Sequence, residues 1–415
     1  MQANITNLKN QVKTMESDKI KVKKLSAEDL DQYNELLRYA FQITETDLLE
    51  TGWERDEIRQ SKFAILQNAH VLGCFDGDQL VSQFAVYPIN MNIHSAVYPI
   101  GAITGVATYP EYSGMRLMTI LMRQSLEYMR AEGQSLALLY PYSIPLYRHR
   151  GWEIISDKMK YKISDKQLPQ NIEVPGYVRR VDEDDEELID LHARFAAQTH
   201  GCLFRNELAW EEYWRWDEED INVAIYYNTG DVPMGYMVYL ISEDIFRIKE
   251  MIYLNHEAFK GLLKYVTAHD SMIDEVRGSH YYSEPIAFKL DDSEIRETIR
   301  PYLMGRIVDF EQFLAKYKFA DYASGVKITF DIADPFLEWN NRKFTVEIES
   351  GKGKIVDGES EYKASLSIGT LTTLMLGYKN AMELSKIERI EANEETIKLI
   401  HHVLIEGKPY ISDYI

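Results

Sequence analysis

Cysteine is scarce in this sequence, which has two thiols, Cys74 and Cys202, among 415 residues. Two cysteines are too few to build the disulfide framework of a small secreted domain. Both lie among apolar neighbours, which favours a buried structural thiol over a catalytic nucleophile. Cysteine usage therefore indicates a reducing compartment, and the cytoplasm is the expected location.

Long apolar runs are also missing. A transmembrane helix needs about 20 predominantly apolar residues in a row, and no stretch approaches that length. Residues 1–19 are polar and of mixed charge, without the apolar core of a signal peptide. We interpret them as an N-terminal extension, and we expect no association of the chain with a membrane.

Positive charge is in short supply. The chain has 46 Lys and Arg residues against 66 Asp and Glu residues, which gives a formal net charge of −20. Nucleic acids and anionic membranes select basic surfaces, so neither is an expected partner. The negative field is compatible with a cationic substrate, although solubility alone is the simpler explanation of such a charge.

Metal-ligand patterns are the last conspicuous absence. Histidine is a common metal ligand, and the candidate positions are His192, His200 and the pair His401-His402. None of them has cysteines or carboxylates at the spacing of a metal site. No bound metal is expected.

The length predicts about three domains, because domains cluster near ~100–150 residues. Residues 20–165 are interpreted as an α/β domain in the order strand, helix, several strands, helix, strand. Residues 172–298 repeat a similar order with slight sequence identity, which suggests a duplicated fold. Residues 301–415 alternate short strands and helices. Their aromatic tail, Pro409 to Ile415, is expected to pack against the protein.

Local signals in the first domain predict several of its elements. Ser26 is a helix N-cap with Asp29 as its capping-box partner. Asp76-Gly77-Asp78 between apolar runs predicts a tight hairpin turn. Two separate strands are predicted after this hairpin, roughly at Ile93 to Ile100 and at Ile103 to Thr108.

One segment of the first domain has the layout of an anion site. The strand Ile103 to Thr108 is followed by Pro110, the turn Ser113-Gly114 and a helix from about Met115 to Ala131. The first N–H groups of a helix lack intrahelical acceptors and, with the helix dipole, attract anions such as a pyrophosphate. An ordinary crossover helix is the alternative. In the second domain, Leu254 to Glu257 passes from strand to helix without a glycine turn, so no cofactor site is expected there.

A second motif follows the predicted buried strand Ser135 to Tyr140, and it reads Leu146-Tyr147-Arg148-His149-Arg150-Gly151-Trp152-Glu153. At this spacing from the preceding turn and helix, the sequence resembles the GNAT acyl-CoA transferases, and among them the enhanced-intracellular-survival (Eis) branch. The segments Met304 to Asp309 and Ile368 to Tyr378 resemble that branch's sterol-carrier-like domain, and so does the aromatic tail. The resemblance covers about residues 20–415.

The resemblance implies an α/β (α+β) fold, with tandem GNAT-like acyltransferase domains followed by a sterol-carrier-protein-like C-terminal domain. It implies acetyl-CoA as co-substrate, held by the first domain through the strand, the turn after it and a position ahead of Tyr147. In this sequence those positions are Val106, Ala107, Thr108, Ser113, Gly114, Met115, Arg116, Leu117, Met118 and Ser143. Members of the branch tend to form hexamers, so a homo-oligomer is expected.

The resemblance also implies two catalytic groups. Tyr147 would protonate the departing CoA thiolate, and the α-carboxylate of Ile415 would accept the proton of the amine. A protonated amine is not a nucleophile, so the reaction needs such a base, and a tyrosine with a pKa of ~10 suits a thiolate leaving group. The predicted function is acetylation of amines of cationic small molecules, aminoglycoside-like or polyamine-like, by direct attack of the amine on the thioester. The alternatives are a non-catalytic GNAT-fold protein that binds an apolar ligand, and a protein-amine acetyltransferase.

The turn departs from the family's Arg-x-x-Gly-x-Gly pattern. Ser113 stands at the Arg position, Arg116 at the first Gly position and Met118 at the last. Glycine lets the backbone approach a phosphate closely, and these side chains make that approach harder. Arg116 instead offers a guanidinium to a phosphate. If the turn has lost CoA binding, the non-catalytic alternative applies.

Overall fold

A computed structural model describes residues 19–50, 58, 60, 62–215, 221–282, 284–320 and 325–414 of the chain. By its internal contacts the chain divides into two compact units. The first contains the described residues of Met1–Ile89 and of Pro99–Tyr140, and the second contains those of Asn90–Tyr98 and Pro141–Tyr414.

The first unit is built on a mixed sheet. Its elements are β1 Ile20–Lys24, α1 Leu30–Phe41, α2 Glu45–Glu50, α3 Phe63–Asn68, β2 His70–Asp76, β3 Gln79–Ile93, β4 Ala96–Thr108, α4 Leu117–Ala131 and β5 Leu136–Leu139. These strands lie in the order β1-β2-β3-β4-β5. β1 to β3 pair antiparallel, whereas β4 and β5 are parallel. A parallel neighbour needs a crossover connection, and α4 supplies it.

Local sequence signals explain two features of this unit. The Asp29 carboxylate accepts a hydrogen bond of 2.9 Å from the backbone N–H of Ser26 and completes the predicted capping box. β2 ends at Asp76 and β3 begins at Gln79, so the predicted hairpin turn is confirmed. Gly77 adopts a φ of 60° in that turn, in the left-handed region that glycine occupies at little cost.

The prediction of two separate strands after this hairpin is wrong, because β4 is one strand. The turn before it is formed by His94 and Ser95, with φ values of 48° and 63°. Two left-handed residues make a tight hairpin turn, but here neither is the glycine or asparagine that marks such a turn in a sequence. Gly105, at a φ of 59°, interrupts the regular geometry of β4 without ending it.

The second unit contains a seven-stranded sheet. Its elements up to residue 307 are α5 Ile144–Arg148, β6 Glu153–Ile154, β7 Asp157–Ser164, β8 Tyr177–Val181, α6 Glu186–Gln198, β9 Leu203–Phe204, α7 Glu207–Trp214, β10 Asn222–Tyr227, β11 Pro233–Ser242, β12 Ile245–Tyr253, α8 His256–Thr267, β13 Glu275–His280, β14 Arg296–Pro301 and β15 Met304–Ile307. The strand order is β14-β7-β13-β12-β11-β10-β8. Helix α8 packs its apolar face on this sheet, with Phe259 and Leu262 in the core. As predicted, the chain passes directly from β12 into α8, where Asn255 Oδ1 accepts a hydrogen bond from the Ala258 N–H at 2.8 Å.

The C-terminal part of the second unit has its own sheet. Its elements are α9 Phe310–Leu314, β16 Val326–Ala333, β17 Lys343–Glu349, β18 Lys352–Val356, β19 Lys363–Ser367, α10 Ile368–Met375, α11 Ala381–Lys386, β20 Ile390–Glu391 and α12 Glu394–Val403. The strands lie in the order β18-β17-β16-β19-β20. Every residue of α10 is buried, so this helix lies wholly in the interior.

Three global features bear on function. Cys74 and Cys202 are both fully buried, and burial raises the pKa of each thiol, so the prediction of buried thiols is confirmed. No helix of the described residues has the length and apolar character needed to cross a membrane. In the same part of the chain, no three His, Cys, Asp or Glu side chains are grouped so that they could hold a metal ion.

Two histidines are stacked in the interior of the second unit. The rings of His94 and His200 lie 3.9 Å apart at an angle of 13°. The backbone N–H of His94 donates to His200 Nδ1 at 3.1 Å, so the proton of the neutral His200 ring is on Nε2, 2.9 Å from the Leu376 carbonyl. Burial and the neighbouring His200 ring together lower the pKa of His94 to about 3, and burial lowers that of His200 to about 4.

This pair is expected to destabilise the protein in acid. Below pH 6.5 both histidines become protonated in the unfolded chain, whereas they stay neutral in the folded protein. The free energy of unfolding therefore falls as the pH drops from 6.5 towards 4. Each group contributes a slope of up to about 1.4 kcal/mol per pH unit in that window, and its contribution to stability is complete above about pH 7. Urea unfolding at pH 7.5, 6 and 5 measures the slope. The variant His200→Asn should have a shallower slope, and an unchanged slope would contradict the assignment.

Candidate active site

β4 carries the strand part of the predicted cofactor site. Its parallel pairing with β5 ends at Ile103, whereas the strand continues to Thr108. On the side of β3, the Ser82 hydroxyl lies 2.7 Å from Thr108 Oγ1 and 3.2 Å from the Ala107 carbonyl oxygen. The segment from Val106 to Thr108 is therefore held on the side of β3. On its other side it lies beyond Ile103, the last residue of β4 that pairs with β5. A strand in this state can pair its backbone groups with an extended, amide-bearing ligand.

The turn after β4 keeps a glycine-like backbone at a position that carries arginine. It begins with the 3-10 turn Pro110–Tyr112, and the Tyr112 hydroxyl donates to Asp76 Oδ2 at 3.0 Å. Gly114 and Arg116 then adopt φ values of 83° and 63°. A non-glycine residue in the left-handed region costs on the order of 1–2 kcal/mol. The turn thus retains at Arg116 the conformation that the family's glycine would supply, and the Arg116 side chain is exposed.

Helix α4 begins directly after this turn. Leu117 is buried at its first position, whereas Met115 and Met118 are partly buried and Ser113 is exposed. The first N–H groups of α4 follow two left-handed residues, an arrangement in which backbone N–H groups form a concave anion site. Nine of the predicted cofactor-binding residues are therefore consecutive parts of one strand, turn and helix start in the first unit.

The other two described site residues lie on the short helix α5 of the second unit. Ser143 is its N-cap residue. Tyr147 is 5% exposed, and its ring packs edge-on against Trp152 at 6.1 Å. Burial raises the pKa of Tyr147, and Arg150 partly opposes this effect. The Tyr147 hydroxyl makes no hydrogen bond to the described residues, so it is available as a proton donor.

The arginines that follow Tyr147 are engaged within the protein. Arg148 binds Glu153 through Nε and Nη2, at 3.0 and 2.7 Å from Oε1. Arg389 donates to the other Glu153 oxygen. Burial disfavours the charge on Glu153, but the hydrogen bonds from Arg148, the Ile154 N–H and Arg389 lower its pKa overall. These charges are paired in the structure and need no phosphate to explain them.

Two of the motifs that carry the family resemblance meet in the second unit. Arg306 is fully buried, binds both oxygens of Asp334 at 2.9 and 2.6 Å, and donates to the Arg150 carbonyl. Gly151 has a φ of 84°, and a β-carbon there would overlap the Arg306 guanidinium and meet Ile368. The glycine after Arg150 is therefore required by packing.

Replacing Gly151 by alanine is expected to lower the free energy of unfolding by about 2–5 kcal/mol, because backbone strain and overpacking add. Gly358 is a matched control, since its φ is 85° and a β-carbon there has no neighbour within 4 Å. Gly358→Ala should cost about 1–2 kcal/mol through backbone strain alone. Urea unfolding of both variants measures the difference, and equal losses would show that Arg306 does not demand the glycine.

Residues 409–413 of the C-terminal tail pack as predicted, whereas Tyr414 is 68% exposed. Tyr410 is 4% exposed and Ile411 is fully buried, both within the second unit. The Tyr410 N–H donates to the His200 carbonyl at 2.8 Å, and the Tyr302 hydroxyl donates to the Asp413 carbonyl at 2.9 Å. Ile415, the predicted catalytic base, lies outside the described residues.

Two charged residues near this tail were missed by the sequence analysis. The Arg205 side chain is fully buried and forms two parallel hydrogen bonds to Glu250, at 3.0 and 2.8 Å. Charged side chains this deeply buried are rare and are usually paired. The only local signal is the position of Arg205 directly after the apolar pair Leu203-Phe204, which does not identify its partner.

Three segments of the chain match known domain families. Residues 21–155 match a GNAT acetyltransferase domain, residues 201–307 match another GNAT acetyltransferase domain, and residues 310–412 match a sterol carrier protein domain. The order of these domains confirms the tandem GNAT-like architecture with a C-terminal sterol-carrier-like domain that was expected from the sequence.

Several proteins resemble this chain along most of its length. The structure of a probable N-acyltransferase from Enterococcus faecalis is 28% identical, with a TM-score of 0.86 and coverage of 95% of this chain and 100% of that one. Eis1 from Mycobacterium abscessus has the same fold at 18% identity, with a TM-score of 0.78 and the same coverage. A Streptomyces avermitilis protein named as an uncharacterized N-acetyltransferase is 22% identical over 398 residues, which covers 87% of this chain and 91% of the relative.

Proposed function

We propose that this chain is an Eis-like N-acetyltransferase of the GNAT type, which transfers acetyl from acetyl-CoA to amines of cationic small molecules. The observation that carries the proposal is the end of β4 with the turn and helix start that follow. The backbone from Val106 to Thr108 suits the amide-bearing pantetheine arm. The left-handed residues Gly114 and Arg116, with the N-terminus of α4, suit the pyrophosphate.

The proposed reaction needs no covalent enzyme intermediate. The neutral amine nitrogen forms a bond to the thioester carbonyl carbon, and the carbon–sulfur bond then breaks. The amine proton goes to the α-carboxylate of Ile415, and the thiolate takes a proton from Tyr147. The raised pKa of Tyr147 supports the second role, because it keeps the hydroxyl protonated across the physiological range.

The charge of the protein supports a cationic amine as substrate. A net charge of −20 attracts cations from solution and raises their encounter rate. Aminoglycoside-like and polyamine-like molecules carry several ammonium groups, so they benefit most from this field. The same field disfavours acidic peptides, and a basic peptide substrate is the competitor that the assay below must include.

Calorimetric titration with acetyl-CoA tests the proposal first. The wild-type protein is expected to bind in the micromolar range, and Arg116→Glu should weaken binding about tenfold or more, by placing a carboxylate beside the phosphates. Arg130→Glu is the matched control, because it makes the same charge change near the other end of α4, about 20 Å away by helix geometry. It should change the affinity less than about twofold.

An amine screen that follows CoA release tests the substrate class. Kanamycin-like and spermidine-like amines should be acetylated with a higher kcat/KM than a lysine-containing peptide. No binding of acetyl-CoA would contradict the proposed function, and preferential acetylation of the peptide would contradict the substrate class alone.

A further inference from the structure

The seven-stranded sheet carries a row of lysines on the face that α8 does not cover. Side chains alternate between the two faces of a strand. Tyr161 and Ile163 of β7 belong to the core under α8. The alternate residues of β7 therefore lie on the opposite face, and three of them in succession are lysines: Lys158, Lys160 and Lys162.

The neighbouring strands add further cations to this face. Arg296 of β14 lies opposite Lys162 in the register of the sheet, and Arg277 of β13 lies opposite Lys162 on the other side. Arg300, also on β14, lies opposite Lys158. Paired residues of neighbouring strands share a face, with the strands about 4.8 Å apart and alternate residues about 7 Å apart along each strand. The six cations thus form one compact group, the cationic strip.

The cationic strip is poorly neutralised by its own chain. In the described part of the chain, Glu275 is the only carboxylate paired with these cations, at 3.4 Å from Lys162 Nζ and in contact with Arg277 Nε. Lys160, Arg296 and Arg300 are exposed, and none of them has an ion pair or hydrogen bond to a described residue. Six cations and one carboxylate leave a surplus of positive charge on a chain whose net charge is −20.

The complementary charge lies at the other edge of the same sheet. β14 and β8 are its two edge strands, so about 29 Å separates them along the sheet. The acidic turn Asp182-Glu183-Asp184 follows β8 directly, is exposed, and has no ion pair to a described residue. The Asp185 N–H donates to the Asp182 carbonyl at 3.3 Å, and Asp185 Oδ1 caps α6 by accepting from the Glu187 N–H at 2.8 Å. These bonds make the acidic turn an ordered part of the surface.

We propose that the cationic strip of one copy of this chain binds the acidic turn of a second copy. The two surfaces cannot meet within one chain, because the width of the sheet lies between them. Complementary charges orient the partners and exclude other arrangements. Since the two surfaces are different and lie at opposite edges, the contact is head-to-tail, and its repetition closes a ring when the rotation between copies allows it. The contact shares no residue with the proposed acetyl-CoA site, so it stands independently of the proposed function.

Charge reversal on each surface tests the contact by sedimentation velocity at physiological ionic strength. The strip variant combines Lys160→Glu, Arg296→Glu and Arg300→Glu, and the turn variant combines Asp182→Lys, Glu183→Lys and Asp184→Lys. The wild-type chain should sediment as an oligomer. Either variant should raise the Kd of association at least about tenfold, because like charges would then face each other across the interface.

A chain that carries all six replacements is the decisive variant. Its strip is acidic and its turn is basic, so the two surfaces are complementary again, and its net charge is −20 as in the wild type. It should associate with a Kd within about threefold of the wild-type value, since the sign of both partners has changed together. If the strip and turn variants dissociate and the combined variant stays monomeric, the two surfaces do not bind each other and the proposal is overturned.

Three lysines outside the strip supply the control for net charge. Lys264→Glu, Lys316→Glu and Lys386→Glu replace exposed cations and change the net charge to −26, the same value as in the strip variant. This control should associate as the wild type does, and equal dissociation of the two variants would overturn the proposal. A monomeric wild-type chain would overturn it as well. If that monomer were retained on immobilised heparin and the strip variant were not, the strip would bind a different polyanion.

Discussion

Removal of Tyr414 and Ile415 is expected to lower kcat about 100- to 10,000-fold, the range typical of a lost general base. The shortened chain would end at Asp413, two residues earlier, so its terminal carboxylate would be displaced by up to about 7 Å relative to that of the full chain. The affinity for acetyl-CoA should be nearly intact, because the residues proposed to bind it are at the end of β4 and the start of α4. Steady-state kinetics together with calorimetry would measure both quantities.

Two further variants make this experiment specific for the carboxylate. Adding one glycine after Ile415 keeps every native side chain and moves the carboxylate by one residue, so it should also lower kcat strongly. Ile415→Val keeps the carboxylate in place and should retain nearly full turnover. Unchanged turnover in both the truncated and the extended chain would eliminate the terminal carboxylate as the base.

Tyr147→Phe is expected to lower kcat and kcat/KM by the same factor, about 100-fold or more, because the hydroxyl acts only as the thiolate leaves. The sign of its pKa shift makes a second prediction. Burial raises the pKa of Tyr147, so its hydroxyl stays protonated to a higher pH than that of an exposed tyrosine, and the alkaline loss of kcat from this group should begin at a correspondingly higher pH. Rate profiles between pH 6 and 10 test this directly.

Tyr98→Phe is the matched control for Tyr147→Phe. Its hydroxyl is also buried and donates to the Phe313 carbonyl at 3.1 Å, so its loss leaves an unsatisfied acceptor. The control should lose about 1 kcal/mol of stability and keep its turnover. If both variants lost activity in proportion to their stability, Tyr147 would have a packing role and no chemical one.

The turn before α4 shows how far local sequence reasoning reaches. The order of strand, turn and helix was predicted from Pro110, Ser113-Gly114 and the apolar spacing of the helix, and α4 confirms it. The effect of Arg116 was not predictable, because its side chain suggested a blocked phosphate approach while its backbone adopts the left-handed conformation of a glycine. A residue's φ depends on the path of the chain on both sides, which a pattern of residue types does not specify.

The hairpins differ for a related reason. Asp76-Gly77-Asp78 was recognisable because glycine and aspartate favour the turn by themselves. His94-Ser95 was missed because this pair is not one of the glycine- or asparagine-containing pairs that mark a tight hairpin turn in a sequence. His94 is instead stacked on His200, and its N–H donates to that ring. A local contact, from the Ser95 N–H to Asn92 Oδ1 at 2.8 Å, therefore holds this turn together with a residue 106 positions away.

The sequence by itself determined the apolar periodicity of the helices, the glycine-dependent hairpin, the family resemblance and the burial of the tail. These properties depend on residues within a few positions of each other, or on the order of motifs along the chain, which can be recognised without a structure. Only the tertiary structure decided that Gly151 is required by Arg306 and that Asp413 is held by Arg205. The physical reason is that a buried guanidinium needs partners matched in geometry and charge, and the chain supplies them from positions 28 to 208 residues away.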